Sequence, residues 1–248
     1  MNIGIIGSGF IGGTLAKLLS TAGHKVRVSN SRGPNTIDAD VLSTGAIPVT
    51  KEEALVDADV IILSIPFVRI PDLKKLLAGL PEDVVIIDTS NYIPARDERL
   101  DAIENGQPDS MWASEQIGRP LAKAWNTIYS ASLNEAGRPA GDPERIAVPV
   151  AADRDQDRIV AMALIEDSGF DAYYAGSLAE SWRQQCGTPC YCTELTSEAL
   201  PQALADADLA RSRKRQDLFF AVYNERFGTI GTNPSRSYIV QLSKLIYA

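Results

Sequence analysis

Six residues near the start of the chain have the types and spacing to hold a phosphate group. Gly7-Ser8-Gly9-Phe10-Ile11-Gly12 matches G-x-G-x-x-G and lies between an apolar segment and a helical one. The first glycine would permit a tight turn, the second would let the backbone approach a pyrophosphate, and the third would let helix and strand pack closely. The start of the helix would add unpaired N–H groups and a positive dipole end. A glycine-rich turn without a ligand is the alternative, but the position favours dinucleotide binding.

The residues after the second apolar segment indicate which dinucleotide would fit. An NAD site usually has a carboxylate about twenty residues further on, bonded to the ribose 2′-hydroxyl. Asn30, Ser31 and Arg32 stand there instead, and residues 1–37 contain four basic side chains and no acidic one. A carboxylate would repel a 2′-phosphate, whereas a guanidinium pairs with it. A plain surface charge at Arg32 is the alternative, but the pattern favours NADP(H), with Asn30 and Ser31 as neutral donors.

Two further segments follow predicted strands and should reach the same crevice. Ser64-Ile65-Pro66 follows one strand, and Asp88-Thr89-Ser90-Asn91 follows the next. Ligands of open α/β sheets bind at the carboxyl ends of the strands. Ordinary turn chemistry would favour the same residue types. We expect Ser64, Ile65, Pro66 and Asn91 to contact the cofactor.

These segments, together with Lys123-Ala124-Trp125-Asn126-Thr127, resemble the NADP oxidoreductases that depend on the deazaflavin coenzyme F-420. The NADPH-binding domains of membrane ferric reductases are related to that family. The resemblance covers most of residues 1–180. It implies a Rossmann-type fold and hydride transfer between NADP(H) and a flavin- or deazaflavin-like acceptor.

The resemblance also implies roles for individual residues. Ser31 and Arg32 would hold the 2′-phosphate, while Ala124 and Asn126 would contact the cofactor near its nicotinamide. The family pattern usually has Phe where Trp125 stands and Gly where Asn30 stands. Residues 180–248 extend beyond the shortest members, so a flavin, a quinone-like molecule, a carbonyl or an imine could replace deazaflavin as the acceptor.

No acid or base stands out for catalysis, and hydride transfer to a flavin-like acceptor depends mainly on proximity and stacking. The chain has one histidine, His24, in a turn expected at the far end of its strand from the crevice. Tyr173, Tyr174 and Tyr191 could donate a proton, but nothing singles one out. The catalytic residue is therefore left unassigned.

Two other clusters have simple structural explanations. Cys186, Cys190 and Cys192 lack the fourth ligand that a structural zinc wants, so we expect buried thiols and no metal, with redox cysteines as the alternative. Four basic residues precede an aromatic stretch and are typical of the solvated face of a helix with an aromatic core face. They could also hold an acidic acceptor or a partner subunit; they are Arg211, Arg213, Lys214 and Arg215.

The elements that must position these residues alternate between strand and helix. Apolar runs predict strands at 3–6, 26–28, 60–63, 84–87, 146–150 and 172–175. Helical spacing predicts helices at 11–19, 51–57, 73–80, 155–168, 200–227 and 235–246. This alternation predicts an α/β fold with a doubly wound parallel sheet. Turn-forming residues 137–143 suggest a boundary between a nucleotide-binding domain, residues 1–141, and a smaller α/β part ending in helices, residues 142–248.

Composition excludes several other classes of protein. The 248 residues carry 24 basic and 32 acidic side chains, a net charge of −8, which disfavours nucleic-acid and anionic-membrane partners. No apolar run reaches the length of a membrane span, and no signal peptide is visible, so we expect a cytoplasmic protein. We predict an NADPH-dependent oxidoreductase, expected as a homodimer, with a small-molecule acceptor. A pyrroline-carboxylate-reductase-like imine or carbonyl reductase and a non-catalytic NADPH sensor are the alternatives.

Overall fold

One mixed sheet of eight strands runs through the described residues. The computed structural model describes residues 1–228, 232 and 234–247. The strands are β1 (Asn2–Ile6), β2 (Lys25–Ser29), β3 (Ile47–Pro48), β4 (Val60–Leu63), β5 (Val85–Asp88), β6 (Ala122–Lys123), β7 (Ala147–Ala152) and β8 (Asp171–Gly176). Their order is β3-β2-β1-β4-β5-β6-β7-β8, and neighbours are parallel except β6 and β7. This order confirms the doubly wound α/β fold.

Helices connect the strands and form the end of the described chain. They are α1 (Phe10–Thr21), α2 (Ala39–Leu42), α3 (Lys51–Ala54), α4 (Lys74–Leu77), α5 (Pro94–Asp97), α6 (Asp101–Glu104), α7 (Asp109–Ile117), α8 (Ser130–Glu135), α9 (Asp155–Asp167), α10 (Leu200–Ala205), α11 (Leu209–Phe227) and α12 (Arg236–Tyr247). Three further segments form 3-10 helix, Pro34–Thr36, Phe67–Leu73 and Leu178–Gln184. The order α10, α11 and α12 confirms a C-terminal part that ends in helices.

The sheet is buried on both faces. In β4, Val60 and Ile62 belong to one apolar core, while Ile61 and Leu63 belong to another on the opposite face. Side chains alternate between the faces of a strand, so a strand covered on both sides is apolar at every position. This explains why the continuous apolar runs of the sequence located the central strands.

The order of the strands reverses between β1 and β4. From β1 the chain proceeds outward through β2 and β3, and it then crosses back to β4 beside β1. Ile6 and Leu63 are paired at the carboxyl ends of β1 and β4, so the loops that begin at Gly7 and Ser64 leave the sheet side by side. Ligands of open α/β sheets bind at such a reversal.

The smaller C-terminal part shares this sheet. β7 pairs with β6 through Ala122 and Ala152, and residues on both sides of position 141 belong to the same core. A separate aromatic cluster forms where α11 and α12 pack together. The division into domains at residue 141 stays a prediction, because it falls in a connection across which the sheet continues.

Three predicted helices differ from those observed. The helix predicted at 51–57 ends at Ala54, and Asp57 has a φ of 51°. The one predicted at 73–80 spans only Lys74–Leu77, and a 3-10 segment containing Pro71 precedes it. The helix predicted at 200–227 is two helices, because the carboxylate of Asp208 accepts the N–H of Ala210 and starts α11 anew.

Candidate functional site

In the glycine loop between β1 and α1, a side chain would not fit at Gly7 or Gly12 but would fit at Gly9. A Cβ on Gly7, which has a φ of +113°, would lie 2.0 Å from the carbonyl oxygen of Ser64. A Cβ on Gly12 would lie 2.0 Å from the carbonyl oxygen of Gly7. Around Gly9, apart from its chain neighbours, no atom of the described residues lies within 4 Å of the same position. The loop therefore packs tightly against β4 and leaves its backbone open at Gly9.

The start of α1 also suits an anion. Gly9 caps the helix without a side chain, and the first turn contains no acidic residue. The first N–H groups of a helix have no partner within it, and the dipole places partial positive charge there. These groups border the open space at Gly9, which is the arrangement of known phosphate sites.

A cavity of about 590 Å³ lies at the point where the strand order reverses. It brings together residues from the loops after β1, β2 and β4, as the sequence predicted. Nine of the predicted residues line it: Gly7, Ser8, Gly9, Asn30, Ser31, Arg32, Ser64, Ile65 and Pro66. Its volume falls within the range of small-molecule sites.

The other predicted members of the glycine motif lie outside this cavity. Phe10 is 58% exposed and lines a second cavity of about 480 Å³, on the α8 side of the loop. Ser8 and Gly9 line both cavities. Ile11 packs against the core, and Gly12 is buried against Gly7. The loop thus separates two cavities that meet at its tip.

Arg32 is exposed at the edge of the first cavity. Its backbone N–H donates to the side chain of Asn30 at 3.0 Å, and the Asn30 amide in turn donates to Thr36 at 2.9 Å. The guanidinium of Arg32 makes no ion pair or hydrogen bond with another described residue. Its charge is therefore available to an anionic ligand.

Two basic residues that the sequence analysis missed line the same cavity, Lys51 and Arg69. Arg69 pairs with Asp72 at 2.7 Å, whereas Lys51 has no ion pair among the described residues. Lys51 opens α3, where the Thr50 side chain and the Glu53 carboxylate form a capping box. The T-x-x-E pattern in the sequence could have located this helix start after β3.

Side-chain amides join the loop after β5 to the loop after β6 and to a later segment. The Asn91 amide donates to the Asn126 carbonyl at 2.9 Å, and the Asn126 amide donates to Asn91 and to the carbonyl of Gln184. The Gln184 amide donates back to the Asn126 side chain at 2.9 Å. We call Asn91, Asn126 and Gln184 the amide cluster. It lines neither cavity described above, so the predicted cofactor contacts of Asn91 and Asn126 stay predictions.

Buried groups next to the amide cluster hold these loops in place. Lys123 and Asp88 are fully buried and paired at 2.6 Å, and Lys123 also donates to the carbonyl of Ser90. Ala124 has no exposed surface, so its predicted contact with a cofactor also stays a prediction. Trp125 is buried with a φ of 55°, and its indole N–H donates to Ser168 at 3.3 Å.

The other candidate residues have structural surroundings. His24 lies at the amino end of β2 and pairs with Asp167 at 2.9 Å. The three cysteines are buried and unbridged, and burial raises the pKa of the Cys186 and Cys190 thiols to about 12. Such thiols are poor nucleophiles near neutral pH. Of the three tyrosines considered, Tyr174 is exposed beside Arg158.

A buried carboxyl group, that of Asp109, was also missed. Its oxygen accepts the backbone N–H of Tyr92 at 3.0 Å, and burial raises its pKa to about 6, against the lowering effects of Lys123 and Arg213. Arg213 belongs to the basic cluster of α11, whose aromatic side chains are packed in the core as predicted. Asp109 and Arg213 are 104 residues apart, so no local pattern could have connected them.

Known proteins support the family suggested by these loops. Residues 2–92 match the family described as NADP oxidoreductase, coenzyme F420-dependent. YjhV of Escherichia coli strain K12 is 36% identical over 108 residues, which are 44% of this chain and 76% of that protein. The chain belongs to this family of NADP oxidoreductases.

Two solved structures extend the comparison beyond the glycine loop. The hypothetical protein SMa0349 of Sinorhizobium meliloti has a TM-score of 0.69 at 27% identity, covering 79% of this chain and 96% of that one. A protein of Arthrobacter sp. FB24, provisionally named an F420-dependent NADP reductase, has a TM-score of 0.57 at 16% identity. It covers 90% of this chain and 95% of that one, and at this identity it shows the shared fold.

The described residues lack two further features, a membrane-spanning helix and a metal-binding cluster. No helix in that part of the chain is both long and apolar enough to span a membrane. No group of three or more His, Cys, Asp or Glu side chains there is arranged to hold a metal ion. The homodimer, the location in the cell and the lack of nucleic-acid partners stay predictions.

Proposed function

We propose that the chain binds NADP(H) over the glycine loop and transfers a hydride between it and a flavin- or deazaflavin-like acceptor. The observation that carries the proposal is the pair of cations at the first cavity. Arg32 and Lys51 both line it, and neither is paired with an acidic side chain of the described residues. No carboxylate takes the position at the end of β2 that would select the 2′-hydroxyl of NAD.

The backbone around this cavity fits a dinucleotide. The open space at Gly9 would admit a pyrophosphate, and the N–H groups at the start of α1 would donate to it. Arg32, with help from Lys51 and Ser31, would hold the 2′-phosphate. Because Ser8 and Gly9 line both cavities, a dinucleotide crossing the loop would place its two halves on opposite sides.

Bound NADPH would supply a hydride from C4 of its nicotinamide, and the acceptor would take this hydride and a proton from water, leaving NADP⁺ and the reduced acceptor. The contribution of the chain is to bind and to orient. The buried Lys123–Asp88 pair holds the loop that carries Asn91, and the amide cluster ties this loop to the one after β6. The name of the family supports a flavin-like acceptor over an imine or a carbonyl compound.

Replacing Arg32 by Ala tests the proposal. We expect kcat/KM for NADPH, with lumiflavin as the acceptor, to fall about tenfold, since one charge-assisted hydrogen bond contributes about 1.5 kcal/mol or more. The value for NADH should change less than twofold. Arg99→Ala is the matched control, because Arg99 is 75% exposed and paired only with Asp101 among the described residues.

Equal losses for NADPH and NADH would show that Arg32 supports the loop without recognising the 2′-phosphate. NADPH binding without oxidation by lumiflavin, a deazaflavin or a ferric chelate would contradict hydride transfer and favour a sensor. Turnover of a cyclic imine alone would instead favour the imine-reductase alternative.

A further inference from the structure

A third cavity, small and polar, lies beside the amide cluster. It has a volume of about 50 Å³ and is bordered by Asp109, Gln185, Cys186 and Arg213. Tyr92, which follows Asn91, also lines it, and Gln185 follows Gln184 of the amide cluster. A cavity of this volume accommodates only a few polar atoms. It therefore fits the edge of a ring rather than a whole ring system.

The cavity presents one free acceptor, one free donor and a guanidinium that is partly engaged elsewhere. One oxygen of Asp109 accepts the N–H of Tyr92, and the other has no hydrogen bond with a described residue. The side-chain amide nitrogen of Gln185 is buried without a partner in the described part of the chain. Arg213 gives one nitrogen to Gln216 at 2.9 Å, and its side chain remains 35% exposed. A buried donor without a partner is costly, so the Gln185 nitrogen calls for a ligand atom or a water.

The two cations that act on the Asp109 carboxylate, Lys123 and Arg213, are each also close to another carboxylate. Lys123 is already paired with Asp88 at 2.6 Å, and Arg213 lies 3.5 Å from Glu104. A second carboxylate in the cavity would therefore be repelled by Asp109, and a free cation would be repelled by Arg213. A ligand with a neutral edge would match all three groups if this edge carries an N–H that donates to Asp109 and a carbonyl that accepts from Gln185 or Arg213.

We propose that this cavity binds the edge of the hydride acceptor, and that this edge carries an N–H group beside a carbonyl. The proposal rests on the function proposed above and names the part of the acceptor that is recognised. The pyrimidine ring of flavins and deazaflavins has such an edge, with N3–H between two carbonyls. Asp109 would accept N3–H, and the amide of Gln185 would donate to a carbonyl next to it. Leu209 also lines the cavity and is half exposed, and the remaining rings would lie against it.

A ligand pair that differs only at N3 tests this recognition. Lumiflavin has N3–H, and 3-methyllumiflavin does not. With NADP⁺ present, quenching of flavin fluorescence should show that wild-type protein binds lumiflavin at least tenfold more tightly. Asp109→Asn keeps the volume of the side chain. In this variant the ratio of the two Kd values should fall below about threefold. Comparing both ligands with both proteins is a double-mutant cycle, which isolates the coupling between N3–H and the side chain at position 109.

A second variant guards against a fold defect at Asp109. Gln185→Met removes an amide nitrogen that has no partner among the described residues and keeps the length of the side chain, so the fold should be unaffected. We expect the Kd of lumiflavin to rise about fivefold and the KM for lumiflavin in NADPH oxidation to rise with it. The Kd of NADPH should stay the same. Gln202→Met is the matched control, because the Gln202 amide binds Asp206 on the surface of α10.

The results separate this inference from the proposed function. If wild-type protein reduces lumiflavin and its 3-methyl derivative equally well, the inference is overturned while hydride transfer stands. The same holds if Gln185→Met behaves like Gln202→Met. If no flavin binds and none is reduced, both proposals fail.

Discussion

Asp109 contributes both to the proposed ligand site and to the stability of the fold. Its carboxyl group is buried and fixes the loop after β5 through the N–H of Tyr92. Burial raises its pKa to about 6, while Lys123 and Arg213 oppose the rise and Asp88 adds to it. At neutral pH the carboxylate form predominates, which is the form that accepts an N–H from a ligand.

The raised pKa of Asp109 predicts how stability depends on pH. The folded protein holds the proton more tightly than the unfolded chain, whose pKa is near 3.8, so protonation stabilises the fold. This contribution is absent above about pH 7 and grows as the pH falls through 6. Between pH 7.5 and 5 the unfolding free energy should gain on the order of 1 kcal/mol from this group.

Urea unfolding of the wild type and of Asp109→Asn at these two pH values measures that gain. The other titrating groups are the same in both proteins, so their contributions cancel when the gain of the variant is subtracted from that of the wild type. The wild type should gain on the order of 1 kcal/mol more than the variant on going to pH 5. Equal gains in both proteins would show that Asp109 titrates normally and is not desolvated.

At the scale of the elements, the loop between β1 and α1 predicts different effects for three glycines. A Cβ at Gly7 or Gly12 would collide with backbone oxygens at 2.0 Å, so Gly7→Ala and Gly12→Ala should destabilise the fold by more than about 2 kcal/mol. A Cβ at Gly9 would meet open space. Gly9→Ala should therefore keep the stability but weaken NADPH by tenfold or more, because it fills the approach to the pyrophosphate.

Thermal melting and NADPH titration of the three variants check this separation. Gly79→Ala is the matched control, since Gly79 has open space around it and lies outside the proposed site. A Gly9→Ala variant that binds NADPH like wild type would contradict a ligand at the loop. A Gly9→Ala variant whose melting temperature falls as much as that of Gly7→Ala would show that the open space at Gly9 is needed for folding.

The sequence predicted most of the longer elements, but it missed α7, which has nine residues, and several short elements. β1, β4 and β5 were located because a strand buried on both faces is continuously apolar, and β2 was located from Val26 and Val28, which alternate with Arg27. The strands β3 and β6 have two residues each, too few to show any periodicity, and were missed. Helices α2, α5, α6 and α8 have four to six residues and were missed for the same reason. They owe their shape to caps and packing rather than to an apolar repeat.

At the scale of the whole molecule, the site residues too were predictable only where a local sequence pattern located them. Residues 7–9, 30–32 and 64–66 were predicted together, because each group follows a strand that the sequence revealed. The small polar cavity combines Tyr92, Asp109, Gln185 and Arg213, which come from four separate parts of the chain. Tertiary contacts bring them together, since α7 packs against the 3-10 segment Leu178–Gln184 and the Gln216 amide of α11 donates to the carbonyl of Tyr92. That packing is tertiary and has no sequence signature.

The continuous sheet also predicts how the molecule unfolds. β7 is bonded to β6 across the connection at residue 141, and α9 packs in the same core as β1 and β5. Because residues 1–141 and 142–248 share a sheet and a core, they should unfold together. Calorimetry should therefore show a single transition with equal calorimetric and van't Hoff enthalpies. NADPH at a hundred times its Kd should shift the whole transition upward, by a free energy of about 2.7 kcal/mol. Two transitions, of which NADPH moves only the first, would instead establish the independent domains 1–141 and 142–248.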